Sequence, residues 1–144
     1  MAEACLWHFG GDNVNASSCG VPAEIADAPN SWTFLALQTA GIPTVGLTCK
    51  GWTKFTRNGA PRMDFVIALD ANTVDDHPSW NGQPATALWN YPEISANNKT
   101  NNLGIAAVQT LVSQRRRIEF LISLRSRAQI DSDFLHDLRD LAYL

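Results

Sequence analysis

Several features that define other classes of protein are absent from this sequence. No uninterrupted apolar run approaches the roughly 20 residues that a membrane span needs, and the N-terminus has no basic region of the kind that opens a secretory signal. The three cysteines are an odd number and suggest no disulfide framework. Eleven basic and fourteen acidic residues give a net charge of -3, without the basic excess of nucleic-acid-binding proteins. We therefore expect a cytoplasmic protein with no nucleic-acid or membrane partner.

The residues that are present fit an ordinary globular domain. The chain has 144 residues, of which 45% are hydrophobic and 17% charged, and this length suits one hydrophobic core. No internal repeat or low-complexity linker marks a boundary. We expect a single domain over residues 1–144, with residues 125–144 as an accessory C-terminal helix.

Apolar periodicity, caps and turn residues predict alternating helices and strands. The best strand is Met63 to Leu69, whose nearly continuous apolar character suits a parallel sheet that is covered on both faces. Other predicted strands are 14–18 and 85–89, and predicted helices are 2–9, 31–40, 52–55, 102–124 and 131–141. The long helix has an apolar stripe of Ile105, Val108, Leu111, Val112, Ile118, Leu121 and Ile122. This order predicts an α/β layer fold with parallel strands.

Seven segments in order carry a resemblance to one known family. They are Met1-Ala2-Glu3-Ala4, Ser17-Ser18-Cys19-Gly20, Ala40-Gly41-Ile42-Pro43-Thr44-Val45-Gly46-Leu47, Lys50-Gly51-Trp52, Ala60-Pro61-Arg62-Met63-Asp64-Phe65-Val66, Pro78 to Trp89, and Arg117-Ile118-Glu119. Together they resemble the low-molecular-weight tyrosine phosphatases and thioredoxin-coupled arsenate reductases over about residues 1–124. The first segment resembles the residues that directly follow that family's Cys-x5-Arg-Ser loop.

The resemblance implies a specific chemistry and fold. In the family, a thiolate nucleophile lies six residues before an arginine, and the loop between them wraps a phosphate or arsenate at a helix N-terminus. A later acidic residue protonates the leaving oxygen, and the matching position here is Glu93, in Trp89-Asn90-Tyr91-Pro92-Glu93-Ile94. The implied fold is flavodoxin-like, with strand order 2-1-3-4. The implied ligand is a small oxyanion, and no cofactor or metal is expected.

The catalytic loop itself is missing from these 144 residues. No cysteine has an arginine six positions later, since these positions hold Gly11, Ile25 and Phe55. The two cysteines that relay oxidation in thioredoxin-coupled reductases also have no counterpart between Leu69 and Pro78. We expect the chain as written to be inactive as an arsenate reductase or phosphatase. The simplest explanation is an N-terminal truncation in which Met1 is an internal methionine of a longer arsenic-resistance or phosphatase gene product.

The same comparison leaves the sheet without its first, central strand. Strands 14–18 and 63–69 would then flank a vacancy, and unpaired backbone inside a sheet is costly. Two alternatives to a truncated enzyme remain open: a non-catalytic binding or regulatory relative, and a homodimer in which each copy completes the partner's sheet.

Other residues that invite a functional interpretation have simpler structural ones. We expect Cys19 to be a small buried residue, because the family has alanine there. His77 with Asp70, Asp75 and Asp76 could suggest a metal site, but a solvated acidic loop is favoured, since the spacing matches no defined motif. We expect the five tryptophans to be packing anchors. We expect Arg115-Arg116-Arg117 to form a solvated face of the long helix.

Overall fold

A computed structural model describes residues 1–94, 102–127 and 132–144 of the chain. In these ranges the protein is of the mixed α/β class, as predicted. The helices are α1 (Ala2–Gly10), α2 (Ser31–Thr39), α3 (Thr53–Thr56), α4 (Leu103–Arg127) and α5 (Ser132–Asp140), and the strands are β1 (Phe65–Ala68) and β2 (Ala85–Leu88). Short 3-10 turns lie at Gly11–Asn13, Pro22–Glu24, Ala71–Asp76 and Leu141–Tyr143.

Local chemistry explains where helix α1 ends and where helix α2 begins. Helix α1 stops at Gly11, whose φ of 52° lies in the left-handed region that glycine adopts without strain. A Cβ on Gly10 would collide with the side chain of Val14, so the chain can turn sharply here only with glycine. Helix α2 begins after Asn30, whose side-chain oxygen accepts from the backbone N–H groups of Trp32 and Thr33.

The two strands form a small parallel sheet. Phe65 lies opposite Ala85 and Ala68 lies opposite Leu88. Backbone bonds continue the pairing past the strand ends, because Trp89 N–H donates to Ala68 C=O at 2.8 Å and Tyr91 N–H donates to Leu69 C=O at 2.8 Å. The two predicted strands 63–69 and 85–89 are confirmed, each a little shorter than expected.

The third predicted strand, Val14 to Ser18, is wrong. No residue of this stretch pairs in a sheet with any other part of the described chain, and the nearest pairing is one isolated parallel bridge between Gly20 and Gly51. Side chains hold the stretch instead: Trp7 Nε1 donates to Ala16 C=O at 3.0 Å, and Ser18 bonds to Glu3. A strand exists only where a neighbour accepts its backbone bonds, and this segment has none.

The core lies where α4 packs against α1 and α2. On α4 the buried side chains are Ala107, Thr110, Leu111, Gln114, Arg117, Ile118 and Leu121. Ile105, Val108 and Val112 of the predicted apolar stripe are about half exposed or more, so this stripe is not the face of α4 that packs into the core. The buried face of α4 carries several small and polar side chains, and it points in a different direction from the most apolar face of the helix. Helix α5 buries Phe134 and Leu138.

The long helix also buries one residue of its arginine triplet. Arg117 is buried, donates from Nη1 to Trp89 C=O at 3.0 Å, and stacks over the Tyr91 ring at 4.7 Å. Arg115 is exposed and pairs with Glu119 at 2.8 Å. The prediction of a solvated triplet is therefore wrong for Arg117, which ties α4 to the chain that leaves β2.

The tryptophans divide between core and surface. Trp89 is almost fully enclosed, and its Nε1 donates to Leu138 C=O at 3.1 Å, which confirms it as an anchor. Trp32 keeps 42% of its surface exposed. None of the helices in the described ranges combines the length and the apolar character needed to cross a bilayer.

Candidate functional site

A cavity of about 270 Å³ opens at the N-terminal end of α1. Residues from four separate parts of the chain line it. Met1 and Glu3 come from the start of α1, and Thr33 and Phe34 come from α2. The remaining wall is made by the segments 18–29 and 47–50, including Ser18, Cys19, Gly20, Cys49 and Lys50.

Glu3 is the centre of the polar contacts at this cavity. Its carboxylate is buried, yet it is fully engaged: Lys50 Nζ lies 3.2 Å from Oε1 and 3.1 Å from Oε2, and Ser18 Oγ donates to Oε2 at 2.5 Å. Lys50 Nζ also donates to Thr48 C=O at 3.1 Å. A buried carboxylate is tolerated only with such partners, so Glu3 fixes both neighbouring segments to α1.

The backbone brings the two segments together independently of these side chains. Gly20 N–H donates to Lys50 C=O at 2.9 Å, and Trp52 N–H donates to Gly20 C=O at 3.2 Å. These bonds form the Gly20–Gly51 parallel bridge. Gly51 leaves little free space, because a Cβ there would come within 2.9 Å of the Ile25 side chain.

Glu93, the candidate general acid, lies at the surface on the segment after β2. Its neighbour Ile94 is fastened to the start of α2, since Asn30 Nδ2 donates to Ile94 C=O at 2.9 Å. Helix α2 in turn supplies Thr33 and Phe34 to the cavity wall. Glu93 itself is not among the described residues that line the cavity. Its role as an acid therefore stays a prediction.

The three cysteines have different environments. Cys5 on α1 is fully buried, and burial raises the pKa of its thiol from about 9 to about 11. Cys19 is exposed, so its predicted burial is wrong. The segment that carries Cys19 lies at the surface beside the cavity and does not pack into the core. Partial desolvation nevertheless raises the pKa of the Cys19 thiol, and Lys50 opposes this rise. Cys49 is also exposed.

In the acidic loop after β1, one carboxylate accepts a hydrogen bond from the backbone of the loop itself. Asp70 accepts from Asn72 N–H at 2.8 Å and caps the following 3-10 turn. His77 lies between two indoles, with ring centroids 5.9 Å from Trp52 and 5.8 Å from Trp80. Among the described residues, no group of three His, Cys, Asp or Glu side chains is arranged to hold a metal ion.

Sequence reasoning missed the central residues of this site. Glu3 and Lys50 are 47 positions apart, and both fall inside the segments that carry the family resemblance. An acidic residue on the first turn of a short apolar helix was the available signal. Its partner could not be inferred, because no spacing rule connects a helix to a loop so distant in sequence.

Comparisons with known proteins add no family assignment. No model of a known protein family matches this chain, and a search of curated proteins found no significant match.

Proposed function

We propose that this chain is a domain of the low-molecular-weight phosphatase and arsenate reductase type, with a flavodoxin-like fold in its complete form. The cavity at the start of α1 would bind a small oxyanion, arsenate or a phosphate ester. The thiolate loop would come from a strand and loop outside these 144 residues. None of the three cysteines of these 144 residues lies six positions before an arginine, so the nucleophile of the Cys-x5-Arg loop is absent from them.

The observation that supports this proposal is where the resembling segments meet. Residues Met1 to Ala4, Ser17 to Gly20 and Lys50 to Trp52 are distant in sequence, yet each contributes to the same cavity or to the bridge beside it. The family places its oxyanion at the corresponding end of this helix, where free backbone N–H groups favour an anion. The resemblance rests on sequence order alone, so this spatial agreement is a separate line of support for it.

The parallel pairing of β1 with β2 is also compatible with strands three and four of the proposed fold. Within the described chain, each of these strands pairs on one side only. A free edge is where a further strand would add.

The test compares this chain with a version extended upstream by about twenty residues, enough for a strand of typical length and the Cys-x5-Arg-Ser loop. Arsenate reduction and p-nitrophenyl phosphate hydrolysis are measured side by side on both. We expect activity only in the extended protein, and loss of that activity when its loop cysteine is changed to serine. Inactivity of both proteins, activity of the short chain, or an upstream reading frame without Cys-x5-Arg would contradict the proposal.

Glu93 can be tested in the same extended protein. Because a positioned general acid contributes on the order of 10²- to 10⁴-fold, Glu93→Gln should lower turnover strongly, whereas Glu93→Asp should retain more activity. Asp133→Asn, at an exposed position on α5, is the matched control and should leave turnover unchanged. Equal rates for Glu93→Gln and the control would remove Glu93 from the mechanism.

The free edge of β1 supports a second candidate, a non-catalytic dimer in which another copy supplies the missing strand. Light scattering distinguishes this candidate, because a strict monomer at micromolar concentration excludes it.

A further inference from the structure

Two of the three cysteines lie on the wall of one cavity. Cys19 and Cys49 are both exposed, both line the cavity at the start of α1, and neither is used by the proposed function. Cys5, by contrast, is enclosed in the core. The exposed pair has an oxidisable group on each of two neighbouring segments, with Lys50 beside it.

The Gly20–Gly51 bridge sets the distance between these cysteines. In a parallel bridge, Cys19 faces Lys50, and Cys49 is one residue further back. If the spacing of the bridge, about 4.8 Å between chains and about 3.3 Å per residue, extends back to Cys49, the two Cα atoms would be about 6 Å apart. Disulfides join Cα atoms that are about 4.4 to 6.8 Å apart. Both cysteines line the same cavity, so both border the space in which such a bond would form.

We propose that Cys19 and Cys49 form a reversible intramolecular disulfide, which makes this cavity wall a thiol–disulfide exchange site for small disulfides such as glutathione disulfide. The inference does not depend on the phosphatase or reductase proposal, since it needs only residues of this chain.

The exchange proceeds in two balanced steps. The Cys49 thiol loses its proton, and the thiolate attacks one sulfur of glutathione disulfide. A Cys49–glutathione bond forms, the glutathione S–S bond breaks, and the released glutathione thiolate takes up a proton. Cys19 then loses its proton and attacks the Cys49 sulfur, which releases the second glutathione as a thiol. In total, two protein thiols are oxidised and one glutathione disulfide is reduced to two thiols.

The order of attack follows from the surroundings of Cys19. Burial raises the pKa of the Cys19 thiol, so a smaller fraction of it is thiolate at neutral pH. Cys19 is therefore a slow nucleophile toward an external disulfide. It is suited to resolve a mixed disulfide that is already held beside it, because proximity replaces a bimolecular encounter.

Closure of this disulfide would have a mechanical effect on the cavity. The covalent ring would contain all of α2 and the loops on either side of it. It would also fix the backbone directly before Lys50, which pairs with Glu3. We therefore expect the oxidised protein to be more resistant to heat than the reduced one.

The test uses the whole chain, reduced, freed of reductant and incubated with glutathione disulfide at neutral pH. Trypsin cannot separate the cysteines, since the first Lys or Arg is Lys50. Trypsin together with a protease that cleaves after Asp and Glu places Cys19 in peptide 13–24 and Cys49 in peptide 28–50. We expect mass spectrometry to find these two peptides joined, and to find Cys5 as a free thiol. Addition of glutathione should separate them again.

Matched variants identify the role of each thiol. Cys5→Ala should still form the linkage, whereas Cys19→Ser and Cys49→Ser should not. Cys19→Ser should accumulate one stable glutathione adduct, on Cys49. Circular dichroism checks that each variant is folded, so that the absence of a disulfide cannot be caused by unfolding. A linkage that involves Cys5, a linkage only between two molecules, or stable glutathione adducts without a linkage in the unaltered chain would overturn the proposal.

Discussion

The half of the molecule around α4 and the half around the cavity are held together by different forces. The α4 half is an apolar core in which Trp89, Leu111, Ile118 and Leu138 are almost completely enclosed. The cavity half includes residues 11–30, all of them described and none of them buried. This segment is held by a few polar contacts, among them the bond of Ser18 to Glu3, the bond of Trp7 to Ala16 and the backbone bonds of Gly20. One half resists change through many small apolar contacts, while the other depends on a few hydrogen bonds and the Glu3–Lys50 ion pair.

Helix α1 belongs to both halves. Its Ala4 and Cys5 side chains point into the core, whereas Glu3, the residue before them, points into the cavity. Helix α1 therefore couples the position of the cavity half to that of the α4 half. Variants on each side of this helix should separate the two kinds of stabilisation.

The largest effect is expected in the apolar half, from Trp89→Ala. The change removes a fully enclosed indole and its bond to Leu138 C=O, and it should lower the free energy of unfolding by about 3 to 5 kcal/mol. Urea denaturation measures the change. Trp32→Ala, at a side chain that is 42% exposed, is the control and should cost less than half as much. Equal losses from both variants would contradict the assignment of Trp89 to the apolar core.

A somewhat smaller effect is expected in the cavity half, from Lys50→Met. The variant leaves the Glu3 carboxylate buried without its cation, which should cost about 3 kcal/mol. The double variant Glu3→Gln with Lys50→Met should be more stable than the single one, because the uncompensated charge is gone. Denaturation midpoints of all four proteins in this cycle give the coupling energy.

The exposed ion pair of Arg115 and Glu119 provides the control for that cycle. Both side chains are about half exposed, so Arg115→Met should change stability by less than about 1 kcal/mol. If Lys50→Met is as mild as Arg115→Met, Glu3 is not the anchor of the cavity half.

The third effect, smaller than those of Trp89→Ala and Lys50→Met, depends on pH and concerns Cys5. Its pKa is raised to about 11 in the folded state, from about 9 in the unfolded chain. Between these values the unfolded chain loses a proton that the folded protein keeps, so stability falls as the pH rises from 9 to 11. The loss should be of the order of 2 kcal/mol. Cys5→Ala should show a smaller alkaline loss than the unaltered chain, measured by urea denaturation at pH 8 and pH 10.5. Parallel curves for the two proteins would contradict the assignment to Cys5.

The local features of the fold could be predicted from sequence. The stop at Gly11, the cap at Asn30 and strands β1 and β2 all follow from short-range chemistry, namely positive φ, a side-chain acceptor and dense apolar residues. The strand at Val14 to Ser18 could not be judged in this way. Its residues suit an extended chain, but a strand depends on a pairing partner elsewhere.

The features that could not be predicted from sequence depend on packing between residues that are far apart in the chain. The exposed Ile105, Val108 and Val112 are more apolar than the buried Thr110, Gln114 and Arg117, so hydrophobicity alone selects the wrong face of α4. The correct face depends on close approach to α1 and α2, where small Ala107 fits, and on the Trp89 carbonyl that Arg117 reaches. The Glu3–Lys50 pair at the cavity likewise joins residues that no local pattern connects.

Asn30 performs two tasks with the two ends of one amide. Its oxygen starts α2, while its nitrogen holds Ile94, next to Glu93. Hydrolysis of that amide to an aspartate would exchange the nitrogen for an oxygen and add one negative charge. The helix would keep its acceptor, with a charge that suits a helix start, but the hydrogen bond to Ile94 C=O would be lost. Deamidation at this one position would thus remove one contact of the segment that carries Glu93, while leaving the helix content of the protein unchanged.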